Sequence, residues 1–251
     1  MTRTIGIISG KGGVGKTTLV ANLGAALAKR YEKSVTIVDC NITASHLSII
    51  LGMEYHPITI NHVLRNEKHI KESLYDHPSG MKVIPASLHL DDLINCDVSG
   101  IPKHIKKLEG NTDIIILDSA PGLGKEAAAT ISASDEIIYV TRPDLMAVSD
   151  IIRGKQFVDQ TKKEQLGVVV NMSTGGEHEL TKKEIEIMTG LPVIATIPHD
   201  TSIARSVALK NPSVLGMPNS PSSKEIRKLA GFLVNESEPT FWARLVEFLK
   251  T

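Results

Sequence analysis

The chain of 251 residues has only two cysteines, Cys40 and Cys96. They make no C-x-x-C or other metal spacing, and two are too few for the disulfide framework of a small secreted domain. A net charge is also missing. Lys and Arg total 28 and Asp and Glu total 28, so no global field steers the chain towards nucleic acid. The short basic clusters at 103–107, 162–163 and 182–183 are scattered and read as solvated helix faces. No apolar run approaches the roughly 20 residues that span a bilayer. The run Thr4–Ile8 is too short for the apolar core of a secretion signal and leads straight into glycines. Nine histidines are present, but none pairs at i, i+4, the spacing that sets two metal ligands on one helix face. Together these absences point to a cytoplasmic protein with no membrane span, no metal cluster and no specific nucleic-acid partner.

What the chain does have is a glycine-rich stretch in a defined setting. The apolar run Ile5-Gly6-Ile7-Ile8 leads into Ser9–Thr18, and apolar residues recur at helical spacing over Leu19–Leu27, which makes a strand, a loop and a helix. Gly10 to Thr17 fit G-x-x-x-x-G-K-[ST], the phosphate-loop pattern, and the strand and helix supply the context that a bare match lacks. Glycines at 10, 12, 13 and 15 let the backbone around Val14 curl until successive N–H groups point inward, and the helix start at Lys16, Thr17 and Thr18 adds partial positive charge. A polyphosphate fits there. Lys16 would reach its β- and γ-phosphates and the Thr17 hydroxyl would take a magnesium position. A turn that merely joined strand to helix would need neither residue.

Further apolar runs follow at helix-length intervals. Ser34–Val38 stops at Asp39, Ile114–Leu117 at Asp118, Ile137–Val140 at Thr141, Gly167–Val170 at Asn171 and Val193–Ile197 at Pro198. Short Ile/Val runs of this kind predict a doubly wound, mostly parallel α/β sheet covered on both faces. In such sheets the ends of the strands share one edge, and ligands bind there. Asp39, Asp118, Asn171 and Pro198 should therefore gather near the glycine loop. Each of them singly would serve equally well as a helix cap or turn residue. The stretch from Pro57 to Lys107 is less regular, with short helices expected at 60–64, 70–74 and 88–94 and a strand at 82–84. We expect one domain over residues 1–235 and a linker and amphipathic helix over 236–251. In that tail Phe241, Trp242, Leu245, Phe248 and Leu249 form one apolar stripe.

Lys11 narrows the choice among phosphate-loop proteins. Lys11-Gly12-Gly13-Val14-Gly15-Lys16-Thr17 resembles the deviant phosphate loop, K-G-G-x-G-K-T, of the MinD/ParA family of ATPases, and the archaeal-type MinD branch is the nearest in style. The resemblance covers nearly the whole chain and implies the P-loop NTPase fold of the SIMIBI class. Asp39–Gly52 looks like the family's switch I, Asp118–Leu123 like its Walker B and switch II, and Val170-Asn171 and Ile197–Asp200 like the segments that hold adenine. On that resemblance ATP or ADP and Mg²⁺ are the cofactors. Lys11 crosses an ATP-sandwiched homodimer to touch the partner's phosphates, Asp118 and Asp39 order the magnesium shell with Thr17, and Asn171, Pro198 and Asp200 select adenine. No N-K-x-D guanine signature is present.

Two departures stand out. Family switch I motifs run D-x-D, and here the second carboxylate is Asn41, an amide that can orient a water but cannot act as a base near neutral pH. Because phosphoryl transfer depends chiefly on positioning and charge, slow hydrolysis is expected rather than none. The second departure is Ser119-Ala120-Pro121-Gly122, where the family usually reads S-P-A-G. Three functions follow from the resemblance. The first is a dimerisation switch that positions other machinery through an unidentified protein partner, with residues 240–251 contacting the inner face of the membrane reversibly or docking on their own domain. The second is a maturation scaffold of the related Mrp type, and the third is a DNA-partitioning ATPase, which the neutral charge balance disfavours.

Overall fold

The computed structural model describes residues 1–53 and 55–236. The predicted tail helix and most of its linker lie outside these residues. Eight strands form one sheet: β1 (Arg3–Ile8), β2 (Val35–Cys40), β3 (Tyr75–Asp76), β4 (Lys82–Ile84), β5 (Ile114–Ser119), β6 (Glu136–Thr141), β7 (Glu164–Ser173) and β8 (Val193–Pro198). Their order is β3-β4-β2-β5-β1-β6-β7-β8, and only the β3–β4 pair is antiparallel. The doubly wound architecture expected from the apolar runs is the one found.

The continuous apolar runs exist because both faces of each central strand are covered. In β5, Ile114 and Ile116 pack on one face with Leu19, Leu23 and Leu27 of the helix Lys16–Arg30. Ile115 and Leu117 face the other way, towards Ile101, Ile105 and Ala129. Alternation is the period of a strand, and burial on both sides erases its polar half.

The strand ends run further than the apolar runs. β2 continues through Asp39 to Cys40, β5 through Asp118 to Ser119, and β7 through Asn171 to Ser173. Asp39 and Asp118 are thus held by the ladder, as register partners, rather than by the loops beyond them, and Asn171 sits at an irregularity of β7 between Val170 and Ser173. Between Pro57 and Lys107 the expected helix at 60–64 is present. Those at 70–74 and 88–94 shrink to single 3₁₀ turns at Ile70–Ser73 and Leu90–Leu93. The first stops because Leu74 is already extended and leads into β3, and at the second Leu88, Leu90 and Ile94 are exposed, leaving little apolar face to bury. Among the described residues no helix is long and apolar enough to cross a membrane.

Candidate functional site

The glycine loop joins β1 to the helix Lys16–Arg30 with Gly13 and Gly15 at φ of 77° and 87°, backbone that other residues adopt only with strain. Space demands glycine as well. A Cβ on Gly10 would lie 2.1 Å from the Cβ of Asp150, and one on Gly15 would lie 2.4 Å from the Asn171 amide nitrogen. The helix Leu145–Asp159 and the end of β7 therefore press directly on the loop. Gly122 N donates to Ser9 O at 2.9 Å, which ties the segment after β5 to the loop's first turn.

The two lysines of the loop point to different partners. Lys16 is buried, and its Nζ donates to Ser9 Oγ at 2.9 Å. Burial pushes its pKa down, and Asp118 offsets this only in part, as suits a cation kept for a polyphosphate. Lys11 instead reaches outward, with Nζ 3.2 Å from Asp144 Oδ1. Asp144 also caps the helix Leu145–Asp159 by accepting from Ala147 N at 2.9 Å, and Arg142 joins it at 3.0 Å. Asp144 was not singled out in the sequence. Its signal was an Asp three residues beyond a strand and just ahead of an apolar helix, which reads as a cap and nothing more.

Asp39 and Asp118 stand side by side, paired in register across β2 and β5. Both are buried. Burial raises both carboxyl pKa values well above the usual range, and for Asp118 the neighbouring Asp39 charge adds to the rise. Their hydrogen bonding differs. Asp39 accepts from Ser45 Oγ at 2.7 Å, Asn41 N at 3.0 Å and, more loosely, Leu47 N at 3.4 Å. Neither oxygen of Asp118 has a hydrogen-bond partner. An orphaned buried carboxylate beside Thr17 and the phosphate loop fits a hard divalent cation, which takes oxygen ligands. Asp118 and Thr17 are the residues that would hold it, and Asp39 reaches the same shell only at the expense of the loop it anchors.

The segment after β2 is folded over this edge by short contacts. Asn41 Nδ2 donates to Ala44 O at 2.6 Å. Thr43 donates through N at 3.0 Å and through Oγ1 at 2.5 Å to Glu126 Oε1, on the helix Lys125–Ala133. Glu126 is a second contact that the sequence gave no reason to choose.

Beside the loop, a cavity of about 170 Å³ is lined by Gly15, Thr18, Asn171, Met172, Pro198 and Asp200 among others. Asn171 Nδ2 donates to Val14 O at 2.8 Å, so one residue joins cavity and loop. Asp200 lines the cavity, and its carboxylate is already engaged. Oδ1 accepts from Ser202 N at 2.8 Å, and Oδ2 accepts from Ser222 Oγ at 2.7 Å and Ser222 N at 3.1 Å, so it holds two helix starts together. Those bonds, outweighing burial, keep its pKa well below the usual carboxylate value. The cavity is mostly apolar and open to the loop, the form that suits a base attached to phosphates.

Comparison with known proteins gives a consistent picture. The family model ParA, described as NUBPL iron-transfer P-loop NTPase, matches residues 1–234. An uncharacterized ATP-binding protein of Methanocaldococcus jannaschii is 34% identical over 93% of this chain and 88% of its own length. The septum site-determining protein MinD of Thermotoga maritima is 33% identical over 95% of this chain and 90% of its own. Among solved structures, the septum site-determining protein MinD of Pyrococcus horikoshii, complexed with Mg-ADP, superposes with a TM-score of 0.90 at 29% identity, covering 93% of this chain and 96% of that one.

Proposed function

This chain belongs to the ParA family of P-loop NTPases, and on that premise we propose that it is a MinD-like ATPase, an ATP-dependent dimerisation switch that hydrolyses slowly. The observation that carries the reading is Lys11. Lys16 turns inward to the loop, whereas Lys11 lies outside it against Asp144 with its side chain one-third exposed. A cation held just outside its own phosphate cradle is placed to meet phosphates of a second copy, with the effect of an arginine finger.

The nucleotide's phosphates would rest on the loop amides of Gly10 to Thr18 with Lys16, and its adenine in the cavity of Asn171, Pro198 and Asp200. Thr17 and Asp118, with Asp39 beside them, would hold magnesium, which would supply neutralisation of the phosphates' charge. Asp39 holds switch I through Asn41 N and Ser45. Asn41 spends its amide on Ala44, so it must let go of its own loop before it can orient a water, and it cannot take the proton. Both points favour a long-lived ATP state. Such a switch positions machinery through a protein partner, with reversible membrane contact through residues 240–251.

Size-exclusion chromatography with ATP and with ADP tests the dimer. Wild type should dimerise in ATP alone and Lys11→Ala should stay monomeric; a monomer in both nucleotides sinks the reading. Single-turnover hydrolysis tests Asn41. Asn41→Asp should be faster by about tenfold, less than the roughly 10²–10⁴ of a full general base because positioning and charge carry most of phosphoryl transfer, and an unchanged rate rejects the amide as the brake.

The family description also favours a second reading, nucleotide-controlled iron transfer. It would need a separate metal-binding partner, because Cys40 is buried, Cys96 is half-buried, and no group of three or more metal-ligating side chains occurs among the described residues. Affinity capture with an ATP-trapped form separates the two readings by the proteins it retains.

A further inference from the structure

The wall of the cavity beside the phosphate loop contains a backbone anomaly. Met172 stands at φ of 59°, the left-handed region that side chains other than asparagine and aspartate enter only at a cost. Among the described residues five other non-glycines share this backbone, Glu32, Asn66, Asn95, Lys210 and Asn235, and each follows a helix or a single 3₁₀ turn. Met172 alone of the six lies inside a strand, β7.

The pairing of β7 with β8 shows how it comes to be there. Val170 is matched with Thr196 and Ser173 with Pro198, so the step from 170 to 173 on one strand spans only 196 to 198 on the other. One residue too many makes a bulge, and a left-handed bulge is ordinarily a place for glycine. A regular strand sends neighbouring side chains to opposite faces, whereas here Asn171 and Met172 both line the same cavity. The flanks hold this arrangement. Asn171 Nδ2 donates to Val14 O at 2.8 Å, Ser173 O accepts from His199 N at 2.7 Å, and Ser173 Oγ donates to Glu179 Oε2 at 2.8 Å. Met172 Cε comes within 3.3 Å of the position that a Cβ on Gly15 would take, so the end of its side chain sits where the cavity meets the loop.

Strained backbone persists where its surroundings impose it, and it clusters at ligand sites. Glycine here would remove the cost and also the side chain. The cavity's polar side chains have little left for a base, since Asn171 Nδ2 is spent on Val14 and both oxygens of Asp200 are held by Ser202 and Ser222. Apolar packing must then supply much of the grip. A thioether is unbranched and polarizable, and sulfur packs favourably against aromatic rings.

We propose that Met172 is a specificity-determining residue of the nucleotide site, that its thioether packs on the purine base while the loop takes the phosphates, and that the left-handed bulge in β7 is what aims it there. The inference rests on the ATPase reading and adds to it the side chain that distinguishes a nucleotide from a bare polyphosphate.

Titration of the full chain with Mg-ADP and with magnesium tripolyphosphate separates base from phosphates. Met172→Gly and Met172→Asn, both residues at ease in left-handed backbone, should weaken Mg-ADP binding by about tenfold, the upper end of one sulfur–aromatic contact. Tripolyphosphate binding should not change. Met172→Leu keeps the apolar volume and should recover most of the loss. Unchanged ADP affinity in the Gly and Asn variants overturns the proposal, and so does an equal loss for ADP and tripolyphosphate, which would make Met172 a support of the loop. A Leu variant as weak as the Gly variant rejects packing as the cause. Wild type that binds tripolyphosphate but not ADP overturns the proposal alone, whereas wild type that binds neither removes the ATPase reading and the proposal with it.

Discussion

The end of β2 and the end of β5 present the same residue in the same place with opposite surroundings. Asp39 and Asp118 are register partners, both buried, and both with carboxyl pKa values raised by that burial. After β2 the chain folds back, and the Ser45 hydroxyl and the Asn41 amide satisfy Asp39. After β5 it leaves towards Pro121 and the Gly122–Ser9 bond, so no loop folds onto Asp118, which has only Thr17 and the Lys16 charge nearby. A buried polar group without a partner costs on the order of 1–3 kcal/mol, more when charged. The difference teaches a division of labour: Asp39 supports a loop, and Asp118 is left open at the expense of stability, which on the proposed reading serves a cation.

The comparison breaks most visibly if Asp118 is neutralised. Asp118→Asn should lower ATP hydrolysis by about a hundredfold or more, the scale of losing one preorganised charge contact, while raising the thermal midpoint of the nucleotide-free protein; a stable variant with near wild-type turnover would make the two carboxylates equivalent. Asp39→Ala should act the other way, on the fold. It strands the Ser45 hydroxyl and two backbone N–H groups and should destabilise by about 2–4 kcal/mol in urea unfolding.

A smaller effect sharpens the point through pH. A carboxyl whose folded pKa is raised contributes stability below its unfolded value, near 4, and loses that contribution as pH rises through the folded value. Without metal or nucleotide, wild type should therefore lose stability relative to Asp118→Asn as pH climbs from about 4 towards neutrality, and Mg-ADP should flatten the difference. A difference that stays constant across that window would mean the Asp118 carboxyl is not perturbed. The smallest effect is expected at Thr43, whose exposed bonds to Glu126 should be worth under about 1 kcal/mol in Thr43→Val.

Much of this was legible before any coordinates. The sheet was visible because strands buried on both faces must be apolar throughout, as Ile114–Leu117 are, and the phosphate loop was visible because its chemistry fixes both residue type and spacing. The strand-end rule brought Asp39, Asp118, Asn171 and Pro198 to one edge from far apart in sequence. Less regular segments were harder. At 70–74 and 88–94 the pattern suggested helices, but the turn of the chain at Leu74 into β3 and the exposure of Leu90 left single turns.

Asp144 and Glu126 show what a linear pattern does not hold. One is a cap that happens to lie where Lys11 arrives, and the other sits on a helix surface where Thr43 arrives. Nothing in either residue's neighbours along the chain announces the contact. The amino-acid order by itself determined the fold class, the phosphate cradle and the family, because burial and phosphate binding act on runs of adjacent residues. Only the tertiary structure decided that Lys11 is held by Asp144, that Asn41 closes its own loop, and that of two matching aspartates one is satisfied and the other is waiting. Those outcomes depend on which side chains meet from opposite ends of the chain, and that meeting is set by packing.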